Sequence, residues 1–228
     1  MSQTFSLADS LAVSDLQTYL SRAARVEEGS VRLIGGSGVL AVYSAILYPR
    51  GLLDQTPTVL GLRTFAIQSG AGFDAVVPIR SLLDRLARIG EAVAAGTTPD
   101  GPVEVRMPLE VSTVTWAGIS PPRGGWRPVG ETTFELLEET AKSGIAEVAE
   151  AVPTGTGEQL VQRVRAEVWG RPIDGLEYVP AGAAFAAESL GFLAADEPVT
   201  ILETGPWTRL TTRRGHTLVR RQAWSLRG

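Results

Sequence analysis

Apolar and polar residues alternate with two different periods along this chain, and the switches between them mark out its elements. Leu16, Tyr19, Leu20 and Ala23 recur at helical spacing, so a helix is expected over residues 15–26, with Ser14 as N-cap and Gln17 closing a capping box. Residues 31–34, 39–47 and 58–67 have strand character and are separated by GGSG and by YPRGLLDQTP, an order that predicts an antiparallel meander. Pro78 stands where a first helical residue belongs. Ile79, Leu82, Leu83, Leu86 and Ile89 then repeat with a helical period up to Gly90, which predicts a helix covering one face of that sheet. From Val103 the period becomes two: Val103, Val105, Met107, Leu109 and Val111 alternate with polar residues or Pro108. A half-buried edge strand is expected there, with a bulge near Thr113 where the parity changes.

The thirteen residues Gly118 to Gly130 hold three prolines and four glycines and are expected to continue neither helix nor strand. Beyond them Thr132 and Glu135 form a second capping box, and Phe134, Leu137, Ala141, Ile145 and Val148 make one helical stripe ending near Val152. Thr156 with Gln159 opens another helix to Trp169. An alanine-rich helix follows from Pro180 or Ala181 to about Leu193, and residues 199–203, 207–211 and 217–221 read as closing strands. The fold class expected is α+β: an antiparallel sheet with a covering helix in the N-terminal half, then three helices and a closing β-meander in the C-terminal half. The corresponding division is 1–120, a connector at 121–130, and 131–228.

Composition narrows the chemistry more than the fold. Of 228 residues, 44% are hydrophobic and 20% charged, ordinary values for a globular protein, but there is one histidine, His216, one lysine, Lys142, and no cysteine. Thiol nucleophiles, thiolate or multi-histidine metal centres and disulfides are excluded, and a serine triad would have to run through His216. No catalytic residue, metal or cofactor is therefore assigned. With neither a leader-like first segment nor a long apolar run, the chain is expected to be cytoplasmic and to have no membrane partner. Residues 199–228 carry a net charge of +5, which leaves −9 on residues 1–198.

Each motif has a plain and a functional reading. GGSG at 35–38 leads into strand-like sequence with no lysine after it, so a hairpin turn accounts for it better than a phosphate loop. TGTG at 154–157 precedes a helix, and the helix start alone explains Thr156. The glutamates 131, 135, 138, 139, 147 and 150 favour a solvated helix face over a metal or acid/base site. The stiff loop Pro121 to Pro128 presents Arg123, Trp126 and Arg127, either as a strap anchored by a buried Trp126 or as a contact site. Arg209, Arg213, Arg214 and Arg220 belong to a predicted arginine hairpin, and His216 beside them should be held neutral by neighbouring guanidinium charge. Three helices followed by such a hairpin superficially resemble a winged helix. The helix before the hairpin, AGAAFAAESLGFL, has no side chain suited to reading bases.

The leading functional reading from sequence is a non-enzymatic interaction or regulatory protein using the Pro121 to Pro128 loop and the arginine hairpin, with a protein partner or self-association. Nucleic-acid binding through the hairpin ranks second, disfavoured by the acidic remainder of the chain. An enzyme or metal-dependent protein using carboxylates ranks last.

Overall fold

The computed structural model describes residues 3–51, 53–96, 101–112, 114–153 and 155–220. The bulge expected at Thr113 lies outside the described residues, as do Thr154, Arg221 and Arg227. Helices and antiparallel sheets are both present, so the α+β class holds. The chain forms two compact units, Met1–Ser44 with Leu62–Gly118, and Ala45–Gly61 with Ile119–Gly228.

The first unit contains β1 (Thr4–Leu7), α1 (Ser10–Val26), β2 (Ser30–Gly36), β5 (Phe73–Pro78), α2 (Ile79–Ala94), β6 (Val103–Arg106) and a 3-10 turn at Thr115–Gly118. Two further strands, β3 (Val39–Leu47) and β4 (Thr58–Ala66), are divided between the units. Its sheet runs β5-β2-β3-β4, and β1 pairs with β6 in a separate ribbon. Val13, Leu16, Leu20, Leu82 and Leu86 of the two helices are buried, as are Val31, Leu33, Leu40, Val42, Ala75 and Val77 of the strands. The buried Tyr19 hydroxyl lies 2.9 Å from Ser44 Oγ and donates to the Val42 carbonyl at 3.3 Å, which fixes α1 along β3. Burial pushes its pKa up, since a phenolate there would lose its hydration.

Helix ends differ from the periodicity where the cap chemistry decides them. Helix α1 begins at Ser10, not Asp15, because Asp9 Oδ1 accepts from Ala12 N at 2.8 Å. Helix α2 continues past Gly90, and the left-handed position that ends it is Gly96 at φ +68°. The strand expected to reach Val111 stops at Arg106: Pro108 follows, and Leu109 is 89% exposed. Between β2 and β3, Ser37 and Gly38 both take positive φ, 52° and 80°, the requirement of a two-residue hairpin turn.

The second unit contains β7 (Arg127–Thr132), α3 (Phe134–Ala151), α4 (Glu158–Gly170), β8 (Pro172–Ile173), β9 (Leu176–Pro180), α5 (Ala181–Ser189), β10 (Val199–Thr204), β11 (Trp207–Thr211) and β12 (His216–Arg220). Its strand order is β4-β12-β11-β10-β7. Strand β7 corrects the reading of 118–130 as wholly irregular. Pro128 is accommodated because β7 is the outermost strand of this order and its register with β10 shifts between Ile201 and Leu202. The short β8–β9 hairpin, which turns at Gly175, gave no period in the sequence.

Helix α3 is capped by Thr133, whose Oγ1 accepts from Leu136 N at 3.2 Å, not by Thr132. Its buried positions are Leu137, Ala141 and Gly144, and Ile145 is 43% exposed. The stripe therefore passes through Gly144, where the ring of Trp169 from α4 occupies the space of a side chain. Thr156 does not cap α4 but donates to the Pro153 carbonyl at 2.6 Å. Helix α5 ends at Ser189, four residues before the expected Leu193, with Gly191 beyond it at φ +71°.

A Cβ at Gly144 would lie 2.3 Å from Trp169 Cζ3, and that ring is stacked on Phe185 at 4.3 Å. Gly-to-Ala inside a helix ordinarily stabilises by about 1 kcal/mol, whereas overpacking a filled site costs about 1–3 kcal/mol. Overpacking should win, so Gly144→Ala is expected to lower the thermal midpoint. Gly124→Ala, with nothing near its Cβ, should leave the midpoint nearly unchanged in the same calorimetric series.

Candidate functional site

Strand alternation puts Trp207, Arg209, Thr211, His216, Leu218 and Arg220 on one face of the β11–β12 hairpin, and Thr208, Leu210, Thr217 and Val219 on the other. On the first face the loop preceding β7 meets the hairpin. The Arg209 guanidinium lies over the Trp126 ring at 4.6 Å, and Trp126 Nε1 donates to the Pro122 carbonyl at 3.1 Å. Two segments singled out separately in the sequence thus share one contact. Trp126 and Arg209 are half-buried, while Arg123 and Arg127 are exposed.

The hairpin arginines do not form one cluster. Arg213 and Arg214 are exposed in the turn beyond Thr211, whereas Arg220 pairs with Trp207 toward the opposite end of the strands. Thr212 holds the turn: its backbone N–H and its hydroxyl both donate to the Gly215 carbonyl, and its Oγ1 accepts from Arg214 N at 3.1 Å and Gly215 N at 3.3 Å. A Cβ on Gly215 would strike the buried Phe192 ring at 2.4 Å. His216 Nδ1 lies 3.1 Å from Thr211 Oγ1. Burial is the larger cause that lowers its pKa to about 4, and the charge of Arg209, not of Arg213 or Arg214, is the second.

Among the described residues no group of three or more Asp, Glu, His or Cys could hold a metal ion. Two of the α3 carboxylates are instead engaged singly: Glu138 pairs with Lys142 at 2.9 Å and Glu147 with Arg171 at 2.8 Å. The sequence reading passed over a second group of arginines, of which Arg80 pairs with Glu28. Arg22 and Arg25 on α1, and Arg80, Arg85 and Arg88 on α2, stand outside the apolar stripes of the first unit's helices, whose own acids are Asp15, Asp84 and Glu91. Pairs three residues apart, 22 with 25 and 85 with 88, were the available signal, since such positions share a helix face. Helix α3 has the opposite balance, five glutamates against Lys142.

Residues 1–105 match the family described as Domain of unknown function (DUF8010), and residues 121–224 match Domain of unknown function (DUF8185). No curated protein matches the chain. Among solved structures it is similar to a DNA polymerase sliding clamp from Caulobacter crescentus, at 12% identity and a TM-score of 0.50, covering 99% of this chain and 67% of that one. Its fold is clamp-like. DNA polymerase III subunit beta from Borrelia burgdorferi, solved in complex with a natural product, is similar at 7% identity and a TM-score of 0.50, with 95% of this chain and 64% of that chain covered. The chain thus spans about two thirds of these clamp subunits.

This likeness overturns the reading as an unspecified interaction or regulatory protein. The error came from treating residues 1–198 as one acidic body. Charge is distributed helix by helix, and the first unit's helices carry more arginine than acid. No helix among the described residues is long and apolar enough to cross a membrane.

The His216 pKa sets a pH dependence of known sign. The unfolded ring titrates near the ordinary histidine value of 6.5 and the folded ring at about 4, so between those values the unfolded chain binds more protons. The stabilisation is complete above about pH 6.5 and declines as pH falls toward 4. In urea titrations across that interval, His216→Phe should show a shallower loss of stability than wild type. Parallel profiles would show that the ring titrates alike in both states.

Proposed function

We propose that this protein is a sliding-clamp-like factor that associates with DNA as a scaffold, and that it does so as an assembly of several copies. The observation that carries the reading is the clamp-like fold, which extends over 99% of the chain at a TM-score of 0.50. In this reading the DNA-facing surface is the helix layer of the first unit, where Arg22, Arg25, Arg85 and Arg88 supply phosphate contacts that need no sequence recognition. The glutamates of α3 would repel a polyanion and are assigned away from it. DNA association accords with the cytoplasmic setting expected from the sequence.

A clamp is held on DNA by topology. The purified protein, incubated with nicked circular DNA and passed over a sizing column in low salt, should co-elute with the circle and be released after a single linearising cut. Arg25→Glu with Arg88→Glu should reduce co-elution about tenfold or more, because each lost phosphate contact weakens binding through counterion release. Absence from the circle, or equal retention on circular and linear DNA, would reject the clamp reading.

A further inference from the structure

We propose that one end of the second unit is a contact between two copies of this chain, in which the Arg213–Arg214 turn of each enters an acidic cleft of the other. The cleft, about 330 Å³, is lined by Glu131, Thr132, Thr133, Phe134, Glu135, Asp196, Glu197 and Pro198. Among the described residues none of its four carboxylates takes part in an ion pair. Thr132 in its lining is 7% exposed, and its Oγ1 has no hydrogen-bond partner among the described residues. Phe134 and Pro198 give the cleft an apolar wall, suited to the methylene stem of an arginine.

The occupant follows from what lies beside it. Glu131 is aligned with Thr200, and Thr200 with Thr211, so the cleft and the Arg213–Arg214 turn occupy the same end of one sheet. Neither guanidinium has an ion-pair partner among the described residues. The turn is two strands, or about 10 Å, from its own cleft. Thr212 already holds its backbone, so little conformational freedom is lost when it docks. A surface carrying both a cationic tip and an anionic cleft is self-complementary, and a two-fold axis lets each tip meet the other copy's cleft. Guanidinium and carboxylate then form the paired, charge-assisted hydrogen bonds that a lysine would not reproduce. The contact does not depend on the clamp reading or on DNA.

Charge exchange tests it without DNA. Sedimentation of the wild type should show a mass step of about two-fold that is lost at high salt, as screened charge requires. Arg213→Glu with Arg214→Glu should abolish that step, and so should Glu135→Arg with Glu197→Arg. Mixing the two double variants should restore it, because both reciprocal contacts become attractive again. All these positions line the surface, and circular dichroism should show both variants folded. A wild-type mass without the step, a step that survives either variant, or a mixture that fails to recover it would overturn the proposal. Binding of a short Arg-Arg peptide to a cleft that supports no self-association would assign the site to a different protein, and would also overturn it. DNA retention that persists in these variants separates this contact from the clamp reading.

Discussion

How closely α5 can approach its neighbours sets the geometry of the second unit. Ala181, Gly182, Ala183, Ala184, Ala186 and Ala187 are all buried, so most of the circumference of this helix is packed and carries almost no side-chain bulk, with Phe185, Glu188 and Ser189 on the one half-buried face. Gly182 shows the tolerance: a Cβ there would lie 3.0 Å from the Trp169 carbonyl oxygen and 3.3 Å from Leu47 Cδ2. With α3 and α4 on one side and β12 on the other, α5 acts as a thin spacer that brings both layers within van der Waals range. The aromatic groups Trp169, Phe185 and Phe192 then supply the volume the alanines lack, which is why Gly144 and Gly215 must be glycines where those rings press against them.

The first unit solves the same problem with larger residues and one buried polar link. Its helices bring leucines to the sheet, and the Tyr19 hydroxyl finds partners in Ser44 and Val42, so burying it leaves no unsatisfied group. Arg32 extends this logic to the loop: it grips Asp74 through Nε and Nη2 at 2.7 Å and donates through Nη1 to the Ala117 carbonyl at 2.7 Å. One side chain thereby joins β2, β5 and the turn that ends the unit. Its pKa is raised chiefly by the hydrogen bonds it donates to Asp74.

Much of this architecture was legible as periodicity. The cores of α1 and α2 and the strands β2, β3, β4, β10, β11 and β12 follow from apolar spacing, as do Leu137 and Ala141 of α3, whereas the burial of α5 follows from its run of small residues. What escaped were short strands without room for a period, β1, β8 and β9, and strands carrying proline, β5 and β7. Asp9 was overlooked as a cap because apolar spacing begins several residues after it, and Ile145 was placed inward because nothing in the sequence says that Trp169 fills the space at Gly144. The stacking of Arg209 on Trp126 spans segments far apart in sequence and needs the register of three strands to be seen. Self-association through the arginine hairpin was expected from the sequence, but the cleft was not, since Asp196 and Glu197 gave no motif and their place beside Glu131 and Glu135 needs the fold. Net charge misled most, because it averages over helices of opposite sign.

The shift of register beside Pro128 has a bearing on how the folded chain behaves in crowded solution. An outermost strand with a regular row of free amides and carbonyls would invite a neighbour to add to the sheet, and then another. In β7 a proline with no amide proton and a local slip between Ile201 and Leu202 break that row within six residues. The irregularity that makes this segment look unlike a strand therefore also leaves a neighbouring chain no regular row on which to extend the sheet.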